Sequence, residues 1–559
     1  ALLAAGAVLG ACVDGQPVGP RGAAPDRPSL TLNPACSPGL GGVTHTDSVL
    51  AAETWSRANN PHRVNTSINI EGAGVLTLEP GVLVCFGNVA RLDADNGGRL
   101  MANGLDTARI VLTAEDPYYG WQGVHLDGVP ASASTLKHVR IEHTFSAAWP
   151  LSTHGEHAAT IDSVVVRQTW MGVALHGRGT RFSRSRVDTV TGGWPGVEVG
   201  SNVTFEQNTI RGSAGVGLSV VGTHGISLLG GRIEGSADVG LRVTTTGPGF
   251  VDTDPIRVVG GASYPAELVV SALPRIYPTL ADQDSLLGNA RDTLVVTGGI
   301  LQAWATVGAA LPWRVTDDII VQYFGILIPR PGATLAFAGA TVTARNGGRV
   351  LARGTAAAPV RFTSVLPPHS WGGLVFEGAP ALKSYLTNVR MEYANSFAVS
   401  ARDSHPVVVD SAVFRQNGQG VMLVAQGSRM SRSRVDTTRI QGSVSVVISA
   451  NTILESTLIR GSGGIGLLLL SNEVQVLSCE IRESAYHGIQ TLIGGAVHNC
   501  NLVDNGGVGI HAANGWTLNA EDTWWGDAAG PMGTNGDGAS GMVDYTPWRT
   551  TPYVLPYVP

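Results

Sequence analysis

Short apolar runs separated by turn residues dominate this chain. Apolar and polar positions alternate over four or five residues, as in Val139-Arg140-Ile141-Glu142, and Gly, Asn or Asp bounds each run. Alternation with a period of two is typical of strands with one buried face, and the flanking residues indicate tight turns. Long stretches with helical periodicity are scarce. The pattern therefore predicts many short strands and little helix.

These runs recur every 21 to 24 residues. A glycine before an apolar residue marks the repeat and occurs at Gly172, Gly196, Gly217, Gly240, Gly420, Gly466, Gly488 and Gly509. Such a period fits a leucine-rich repeat or one coil of a β-helix. The leucine-rich consensus and a helical half are both missing. We therefore predict one coil per repeat, with apolar residues stacking inward and the recurring glycine supplying a turn with positive φ.

A longer repeat divides the chain into two copies. Asn96-Gly97-Gly98-Arg99 recurs at 346–349, and the segment that begins at Trp121 recurs at Trp371, both shifted by 250 residues. Together with the flanking composition, this repeat predicts six segments: a signal-peptide remnant (1–12), a flexible tether and N-terminal segment (13–53), copy 1 (54–250), connecting coils (251–300), copy 2 (301–517) and a C-terminal cap (518–559).

The first residues have the character of an export signal. An apolar stretch ends in Leu9-Gly10-Ala11-Cys12, which resembles a bacterial lipobox, and the following residues are rich in Pro, Gly and Asp. A lipobox implies lipid attachment at Cys12, and several acyl chains on one residue give stable anchoring. We therefore expect an exported lipoprotein at the outer membrane or cell surface, with the membrane as a partner through its lipid.

Four further cysteines form an even set, as expected for an exported protein. Cys479 and Cys500 are one repeat apart and should occupy the same inward slot, where they either bond or stack as free thiols; we favour a disulfide. Cys85 should point outward, because Val84 and Phe86 point inward. We predict that it bonds to Cys36 and pins the preceding segment.

Three segments carry a family resemblance: residues 76–82 (LTLEPGV), the stretch from Ile110 through Trp121 to Glu142, and residues 523–548 with their Trp-Trp-Gly and Gly-Pro motifs. They resemble bacterial right-handed parallel β-helix repeat proteins with the pectate-lyase-like fold, over roughly residues 54–550. The resemblance implies an all-β, single-stranded, right-handed parallel β-helix, here internally duplicated. It implies little about function.

The open end of a solenoid requires a cover. We interpret the last segment as a cap rather than a sugar-binding platform, although its aromatic residues fit both. The cap residues that we predict are Trp524, Trp525, Gly526, Gly530, Pro531 and Trp548.

The charged residues argue against nucleic acid as a partner and include few candidate catalytic groups. Only 14% of residues are charged, the net charge is −6 and no basic cluster occurs, so nucleic acid is not expected as a partner. Asp127 and Glu142 recur as Glu377 and Glu392, and we interpret all four as outward surface acids in weak ion pairs. Glycoside hydrolysis needs two converging carboxyl groups, and we find no convincing pair.

The histidines do not complete a site either. His224 lies in a segment similar to the Gly-His-Gly strand of polygalacturonases, but the other acids of that family are missing, and we interpret it as a turn residue. His138, His143, His154 and His157 lack further ligands at zinc spacing and are expected on the surface. We predict neither metal nor cofactor.

The sequence thus favours a structural or binding β-helix over an enzyme. Polysaccharide, a cell-envelope protein or another copy of the chain are the expected partners. The alternative is a polysaccharide lyase or glycoside hydrolase whose catalytic residues have diverged.

Overall fold

Inward residues of short strands stack coil upon coil into a three-sided parallel solenoid. The structure is a computed structural model that describes residues 34–37, 40–130, 132–144, 148–245, 249–280, 285–367, 371–380, 382–436 and 438–555. The attachment residue predicted at Cys12 lies outside these residues. Strands on one face pair in parallel with the same face of the neighbouring coils, as Ile141 does with Leu112 and Val166.

Each coil of the first copy has strands on three faces, which we name A, B and C. Three long strands, Thr204–Ser213, His224–Glu234 and Gly249–Val259, span faces A and B. The other strands of face A are Ala52–Trp55, Val75–Leu78, Arg99–Asn103, Ser134–Lys137, Ala159–Asp162 and Arg181–Ser183. The other strands of face B are Val43–His45, His62–Val64, Leu83–Phe86, Ile110–Ala114, Val139–Glu142, Val165–Thr169 and Arg186–Val190.

Face C runs without a break through both copies. In the first copy its strands are Ile68–Ile70, Leu92–Ala94, Val124–Leu126, Leu151–Thr153, Val173–Leu175, Val197–Val199, Leu218–Val220 and Leu241–Val243. The connecting coils add Ala266–Val269 and Leu294–Thr297. In the second copy the strands are Trp313–Val315, Thr334–Phe337, Val360–Ser364, Val389–Glu392, Val413–Arg415, Arg434–Asp436, Leu458–Arg460, Glu480–Arg482 and Asn501–Val503.

Two further faces, D and E, complete the coils of the second copy. The strands of face D are Gly299–Leu301, Ile319–Gln322, Thr341–Arg345, Gly373–Phe376, Phe397–Ala401, Gln419–Leu423, Val446–Ile448, Leu467–Leu469, Ile489–Thr491, Ile510–Ala512 and Ala539–Gly541. Those of face E are Trp304–Val307, Ile326–Pro329, Arg349–Arg353, Ser384–Thr387, Val407–Asp410, Arg429–Ser431, Ile453–Glu455, Gln475–Leu477, Gly495–His498, Leu518–Asn519 and Val543–Asp544.

The core is a set of columns in which equivalent inward residues touch across coils. One column on face B is buried throughout and consists of Val84, Leu112, Ile141, Val166, Val187, Ile210, Ile233 and Val258. Aromatic pairs repeat with the duplication, since Phe86 stacks on Trp121 with ring centroids 3.9 Å apart and Phe337 stacks on Trp371 at 4.4 Å. The predicted all-β, duplicated solenoid is confirmed.

A short helical segment interrupts the predicted connecting coils. The chain leaves face C through the 3₁₀-helix Val270–Ala272 and the α-helix Leu273–Leu280 and then returns to face C. Strand Val139–Glu142 lies on face B, but its repeat Val389–Glu392 lies on face C. The second copy is therefore rotated by one face, and duplicated surface features point in different directions. The sequence pattern did not predict the helix or this rotation.

The recurring glycine has a different role from the predicted positive φ. Gly217 has no positive φ, but a Cβ there would lie 2.3 Å from Cγ2 of Ile233 and 2.7 Å from the carbonyl oxygen of Gly240. The column therefore consists of glycines because the next coil occupies the space of the side chain. Positive φ occurs instead at Gly212 and Gly235, in a neighbouring column.

The cysteines divide into one disulfide and two free thiols. The predicted bond between Cys36 and Cys85 is present, with a Cα–Cα distance of 5.8 Å. Cys479 and Cys500 are free and buried, so the disulfide that we favoured for them is wrong. Stacked residues in register keep parallel Cα–Cβ bonds about 4.8 Å apart, whereas a disulfide brings the Cβ atoms to about 3.8 Å. The other alternative, stacked thiols, is what forms.

Both ends of the solenoid have their own elements. The first coil begins at Val43–His45, within the predicted tether and N-terminal segment (13–53), and the 3₁₀-helices Pro34–Cys36 and Arg57–Asn59 flank it. At the other end Trp525 is buried in the core and Trp548 donates its indole N–H to the carbonyl oxygen of Ala528 (3.2 Å). The backbone N–H of Trp524 donates to the carbonyl oxygen of Cys500. Gly526 and Gly530 have positive φ. The 3₁₀-helix Gly530–Met532 contains the buried Pro531.

Substituting Gly217 with alanine should destabilise the fold by about 1–3 kcal/mol, because the new Cβ overlaps the adjacent coil. Urea unfolding followed by circular dichroism measures the loss. Gly538→Ala is the matched control, since its nearest heavy atom lies 3.5 Å from the added Cβ. Equal midpoints for both variants would contradict the close-approach explanation.

Differential alkylation should find only Cys36 and Cys85 linked in the oxidised protein. Burial raises the pKa of the Cys479 thiol well above its ordinary value, so this thiol stays protonated and should react only after unfolding. Non-reducing peptide mapping gives the assignment. A Cys479–Cys500 peptide, or free thiols at residues 36 and 85, would overturn it.

Candidate functional site

The sequence-predicted acids do not converge. Asp127 is exposed after a strand of face C, whereas Glu142 ends a strand of face B. Glu142 is only 4% exposed and is bound by Arg140 (3.1 Å) and Arg167 (2.7 Å). In the second copy Glu392 is 8% exposed and Arg361 binds it at 2.7 Å, while Glu377 precedes the turn at Gly378. The acids at 142 and 392 are therefore ion-paired as expected, but they are buried among arginines rather than solvated.

The ion pairs form a ladder along the outward side of face B. Acidic and basic residues alternate on successive coils at Glu142, Arg167, Asp188, Arg211 and Glu234. The second copy repeats the ladder on face C with Glu392, Arg415, Asp436 and Arg460. Each exposed pair adds about 0–1 kcal/mol. The ladder holds these carboxylates against arginines, which suits a structural role better than proton transfer.

His157, which was expected on the surface, belongs to a buried network that the second copy repeats at His405. His157 is 0% exposed, and its Nε2 lies 2.8 Å from the hydroxyl of Ser134. Its Nδ1 lies 2.8 Å from the carbonyl oxygen of Asp127. In the second copy His405 meets Ser384 at 2.9 Å in the same way. A serine hydrogen-bonded to a histidine can act as a nucleophile, but in both copies the two side chains are buried away from solvent. Their hydrogen bonds therefore stabilise the turn.

His224 does not assemble a polygalacturonase-like site. Its ring is exposed, and its Nε2 lies 3.1 Å from the side-chain amide of Asn202. Asn208 is buried, accepts from the backbone N–H of Ser185 and donates to the carbonyl oxygen of Phe182. His224 is the first residue of the long strand His224–Glu234, so its interpretation as a turn residue is wrong, although it lies directly after the turn.

A row of exposed aromatic side chains is the surface feature that the sequence analysis missed. It follows the corner between faces B and C on four consecutive coils, and we name it the aromatic edge: Tyr118, Tyr119, Trp149, Trp170 and Trp194. Trp149 is half-buried, whereas the exposed fractions of the other four are 47%, 57%, 39% and 47% in chain order. The signal was present in the sequence, because the three tryptophans are 21 and 24 residues apart, one coil each.

Ring contacts occur in this edge both between coils and within one coil. The ring centroids of Trp149 and Trp194 are 6.0 Å apart in an edge-to-face arrangement, and those of Tyr118 and Tyr119 are 5.1 Å apart. The indole of Trp170 covers Gly192, where a Cβ would lie 2.7 Å from its Nε1. The second copy has Phe397, Gly418 and Ser443 at the positions of the three tryptophans, so the edge belongs to the first copy.

Polar side chains line face C next to the aromatic edge. His154 stacks on His176 with ring centroids 5.7 Å apart, and Nε2 of His176 lies 2.9 Å from Oε1 of Glu198. Burial, followed by the charge of His176, lowers the pKa of His154, so its ring is neutral at pH 7. His125 is occupied by the hydroxyl of Ser152 (2.7 Å) and the carbonyl oxygen of Gln122 (2.9 Å).

Other kinds of site find little support within the described ranges. They contain no group of three or more His, Cys, Asp or Glu that could hold a metal ion. Among the same residues, no helix has the length and apolar character needed to cross a membrane. A cavity of about 340 Å³ is lined by Arg314, Phe337, Ala338, Gly339, Ser364, Val365 and Leu366. Its lining contains one charged residue and no acid pair.

Comparison with known proteins bears on the fold alone. A family model described as the right handed beta helix region matches residues 373–522. The chain is a right-handed parallel β-helix. It has about 21 turns, and the match covers most of the second copy and the first residues of the cap. The search of curated proteins found no match, and neither did the search of solved structures.

Acidification should destabilise this β-helix through its buried histidines. Burial lowers the pKa of His405 from 6.5 to about 4. Because the unfolded chain binds the proton more readily between these values, the histidine's contribution is fully present above pH 6.5 and is lost as the pH falls through 4. His405→Gln should cost about 1–2 kcal/mol at pH 7 through lost hydrogen bonds, yet show a smaller further loss on acidification than the wild type.

Urea midpoints at pH 7.0, 5.5 and 4.5 test this, with the exposed His224→Gln as control. Parallel pH profiles for His405→Gln and the wild type would show that His405 does not govern the acid sensitivity.

Proposed function

We propose that this β-helix is a non-catalytic binding protein that holds a polysaccharide on its aromatic edge. The observation that carries the proposal is the row of exposed tyrosine and tryptophan rings on four consecutive coils of the first copy. Exposed aromatic rows are uncommon on soluble proteins unless they bind something. Rigid rings also give large contact area at low entropic cost.

The geometry suits an extended polymer. Successive coils lie about 4.8 Å apart, so the rings on four coils offer apolar surface over about 14 Å along the solenoid. The faces of pyranose rings carry C–H groups that pack on aromatic rings, while their hydroxyl groups need hydrogen bonds at the sides. A stacked β-scaffold does not reorganise on binding, which reduces the cost of association.

The rival function, a diverged lyase or hydrolase, has weaker support. Such chemistry needs acids, or acids and a histidine, that converge on one bound sugar. Glu142 and Glu392 are instead occupied by arginines, and the Ser134–His157 pair is sealed in the core.

We also propose that the chain is exported and anchored by lipid on Cys12, with the β-helix projecting from the outer membrane or cell surface. The disulfide between Cys36 and Cys85 supports an oxidising compartment. The clamp on the N-terminal segment is extensive, because Arg63 donates to the carbonyl oxygens of Cys36 (3.0 Å) and Ser37 (2.8 Å). A protein held in this way presents its lateral faces to envelope or environmental glycans.

Removing indoles from the aromatic edge should weaken polysaccharide binding. Trp170→Ala and Trp194→Ala should each cost about 1–2 kcal/mol, or ~5–30-fold in affinity. Affinity electrophoresis on a panel of soluble plant and microbial polysaccharides, followed by calorimetry, measures the effect. Trp304→Ala is the control, because this residue is 67% exposed but lies on face E.

Unchanged binding in both edge variants would contradict the proposed site. Release of reducing ends or unsaturated products by the wild type would favour the enzyme instead.

A further inference from the structure

We infer that the chain contacts the surface of an anionic phospholipid bilayer through the corner between faces D and E in the first coils of the second copy. Three aromatic side chains form this corner, which we name the apolar corner: Trp304, Tyr323 and Phe324. It is separate from the aromatic edge, which borders face C. The inference goes beyond the proposed polysaccharide binding and does not depend on it.

The side chains of the apolar corner project into solvent. Phe324 and Trp304 are the two most exposed aromatic side chains among the described residues, at 85% and 67%, and Tyr323 is 53% exposed. Trp304 lies on the coil next to the other two, because it pairs with Ile326. Tyr323 and Phe324 form the tip of the turn between two strands, so the rings make a convex ridge rather than a groove.

The first copy builds the same turn without aromatic residues. Gly72 and Ala73 take the places of Tyr323 and Phe324, and the backbone N–H groups of Gly72 and Tyr323 make equivalent hydrogen bonds to the next coil. Both residues have a left-handed backbone, with φ of 60° and 56°. Glycine adopts this conformation freely, whereas it is rare for bulky residues. The fold therefore does not require the aromatic residues, and a strained, exposed side chain indicates a function.

Arginines adjoin the apolar corner on face E. Trp304, Ile326 and Arg349 pair in register on three consecutive coils. Arg353 ends the strand that begins with Arg349, and Arg330 follows the strand of Ile326. Among the described residues, none of these three arginines has an acidic partner within ion-pair distance, unlike the arginines of the charged ladder. Their charges are therefore available to a partner.

Acidic residues border this surface but do not enter it. The segments 299–307, 319–330 and 341–353, which form the corner and face E on three coils, contain four arginines and no Asp or Glu. Asp317 and Asp318 precede the strand Ile319–Gln322 and so lie at its other end from the apolar corner. Glu377, on the following coil, lies beside the fourth arginine, Arg345.

The other side of the surface adjoins the helical segment. The α-helix Leu273–Leu280 contacts the strands Gly249–Val259 and Trp304–Val307, and it therefore lies between the apolar corner and the acids Asp252 and Asp254. Its Arg275 is exposed. Asp282 and Asp284 lie outside the described residues. Among the described residues, the charges closest to the corner are thus positive, although the net charge of the chain is −6.

This combination fits the interface of an anionic bilayer. Trp and Tyr side chains favour the depth of the lipid headgroups, and Phe favours the boundary with the acyl chains. Arginines beside them attract anionic headgroups. A convex tip enters a fluid surface directly, whereas a protein partner would have to supply both a matching pocket and carboxylates for the arginines.

The position of the corner along the solenoid is compatible with the lipid proposed on Cys12. Residues 13–35 separate Cys12 from Cys36, and fully extended they would span at most ~80 Å. The apolar corner lies about ten coils, or ~50 Å, beyond the first coil. A chain anchored at Cys12 can therefore lie with this corner against the same bilayer.

Vesicle binding by the full chain tests the inference. Cys12→Ala removes the site of the proposed lipid, so any binding comes from the folded protein. Co-sedimentation with vesicles of mixed phosphatidylglycerol and phosphatidylcholine measures the affinity, and pure phosphatidylcholine vesicles are the charge comparison. We expect tighter binding to the mixed vesicles, weakened by added salt because the attraction to the arginines is screened.

In this background, the triple variant Trp304→Ala/Tyr323→Gly/Phe324→Ala gives the corner the small residues of the first copy, where Ala52 is the equivalent of Trp304. Its affinity for the mixed vesicles should fall at least about tenfold, because the inserted apolar surface is lost. Its thermal unfolding midpoint should be unchanged or higher, because the substitution at residue 323 relieves the left-handed tyrosine.

Two double variants complete the test. Arg349→Gln/Arg353→Gln should weaken binding to the mixed vesicles by about fivefold per arginine and leave binding to pure phosphatidylcholine unchanged; it also decides the question if the triple variant fails to fold. Trp170→Ala/Trp194→Ala is the matched control, because it removes exposed indoles from the aromatic edge. It should bind vesicles normally but lose polysaccharide, whereas the corner variants should do the reverse.

Loss of vesicle binding in the corner variants, with the control unaffected, would support the inference. Full binding by the triple variant, no binding by Cys12→Ala itself, or equal affinity for both kinds of vesicle would overturn it and leave the proposed function intact. A dimer in sedimentation velocity that the triple variant abolishes would assign the corner to a second copy and also overturn it. Absence of polysaccharide binding, with vesicle binding intact, would overturn the proposed function alone.

Discussion

Parallel hydrogen bonding between successive coils, with equivalent residues in register, is the constraint on which this molecule depends. It sets a spacing of about 4.8 Å between neighbouring side chains of a column, and each inward residue must therefore pack against its own equivalents. Columns of Val, Ile and Leu satisfy this requirement on face B, as at Ile141, Val166 and Val187. The same constraint excludes a side chain at Gly217, where the next coil fills the space, and it stacks Cys479 on Cys500, which are free thiols.

The sequence predicted features that depend on period and alternation, and it failed where the outcome depends on contact geometry. The solenoid, the duplication and the outward direction of Cys85 followed from counting residues, because strand alternation decides which side chains enter the core. The role predicted for Gly217 was wrong. A residue without a Cβ can adopt positive φ and can also lie close to a neighbouring backbone, and the sequence pattern does not distinguish these two reasons for a glycine. His157 was placed on the surface because histidine is polar, although its two hydrogen bonds satisfy it in the core. The aromatic edge was missed although Trp149, Trp170 and Trp194 share the coil period.

The one-face rotation between the copies explains how a duplicated chain can have different surfaces. The helical segment at 270–280 brings the chain back to face C, so the copies share a continuous sheet without aligning their repeated features. A binding surface on the first copy is then not extended by its repeat. Inward columns and the buried Ser–His pairs recur in both copies because packing requires them. Corner residues are under weaker constraint, and there Trp170 of the first copy corresponds to Gly418 of the second.

Faces B and C of the first copy, which meet at the aromatic edge, differ in the charges of their outward side chains. On face B each carboxylate has an arginine partner, so Glu142 and Arg167 neutralise each other and have little capacity left for a ligand. On face C neighbouring side chains cover Ser152 and Ala174, which are 0% and 1% exposed, and His176 and Glu198 contact each other. Burial keeps His154 neutral at pH 7 and therefore able both to donate and to accept a hydrogen bond. Face C therefore presents hydrogen-bonding groups beside the aromatic edge, whereas face B presents carboxylates and guanidinium groups that already bind one another.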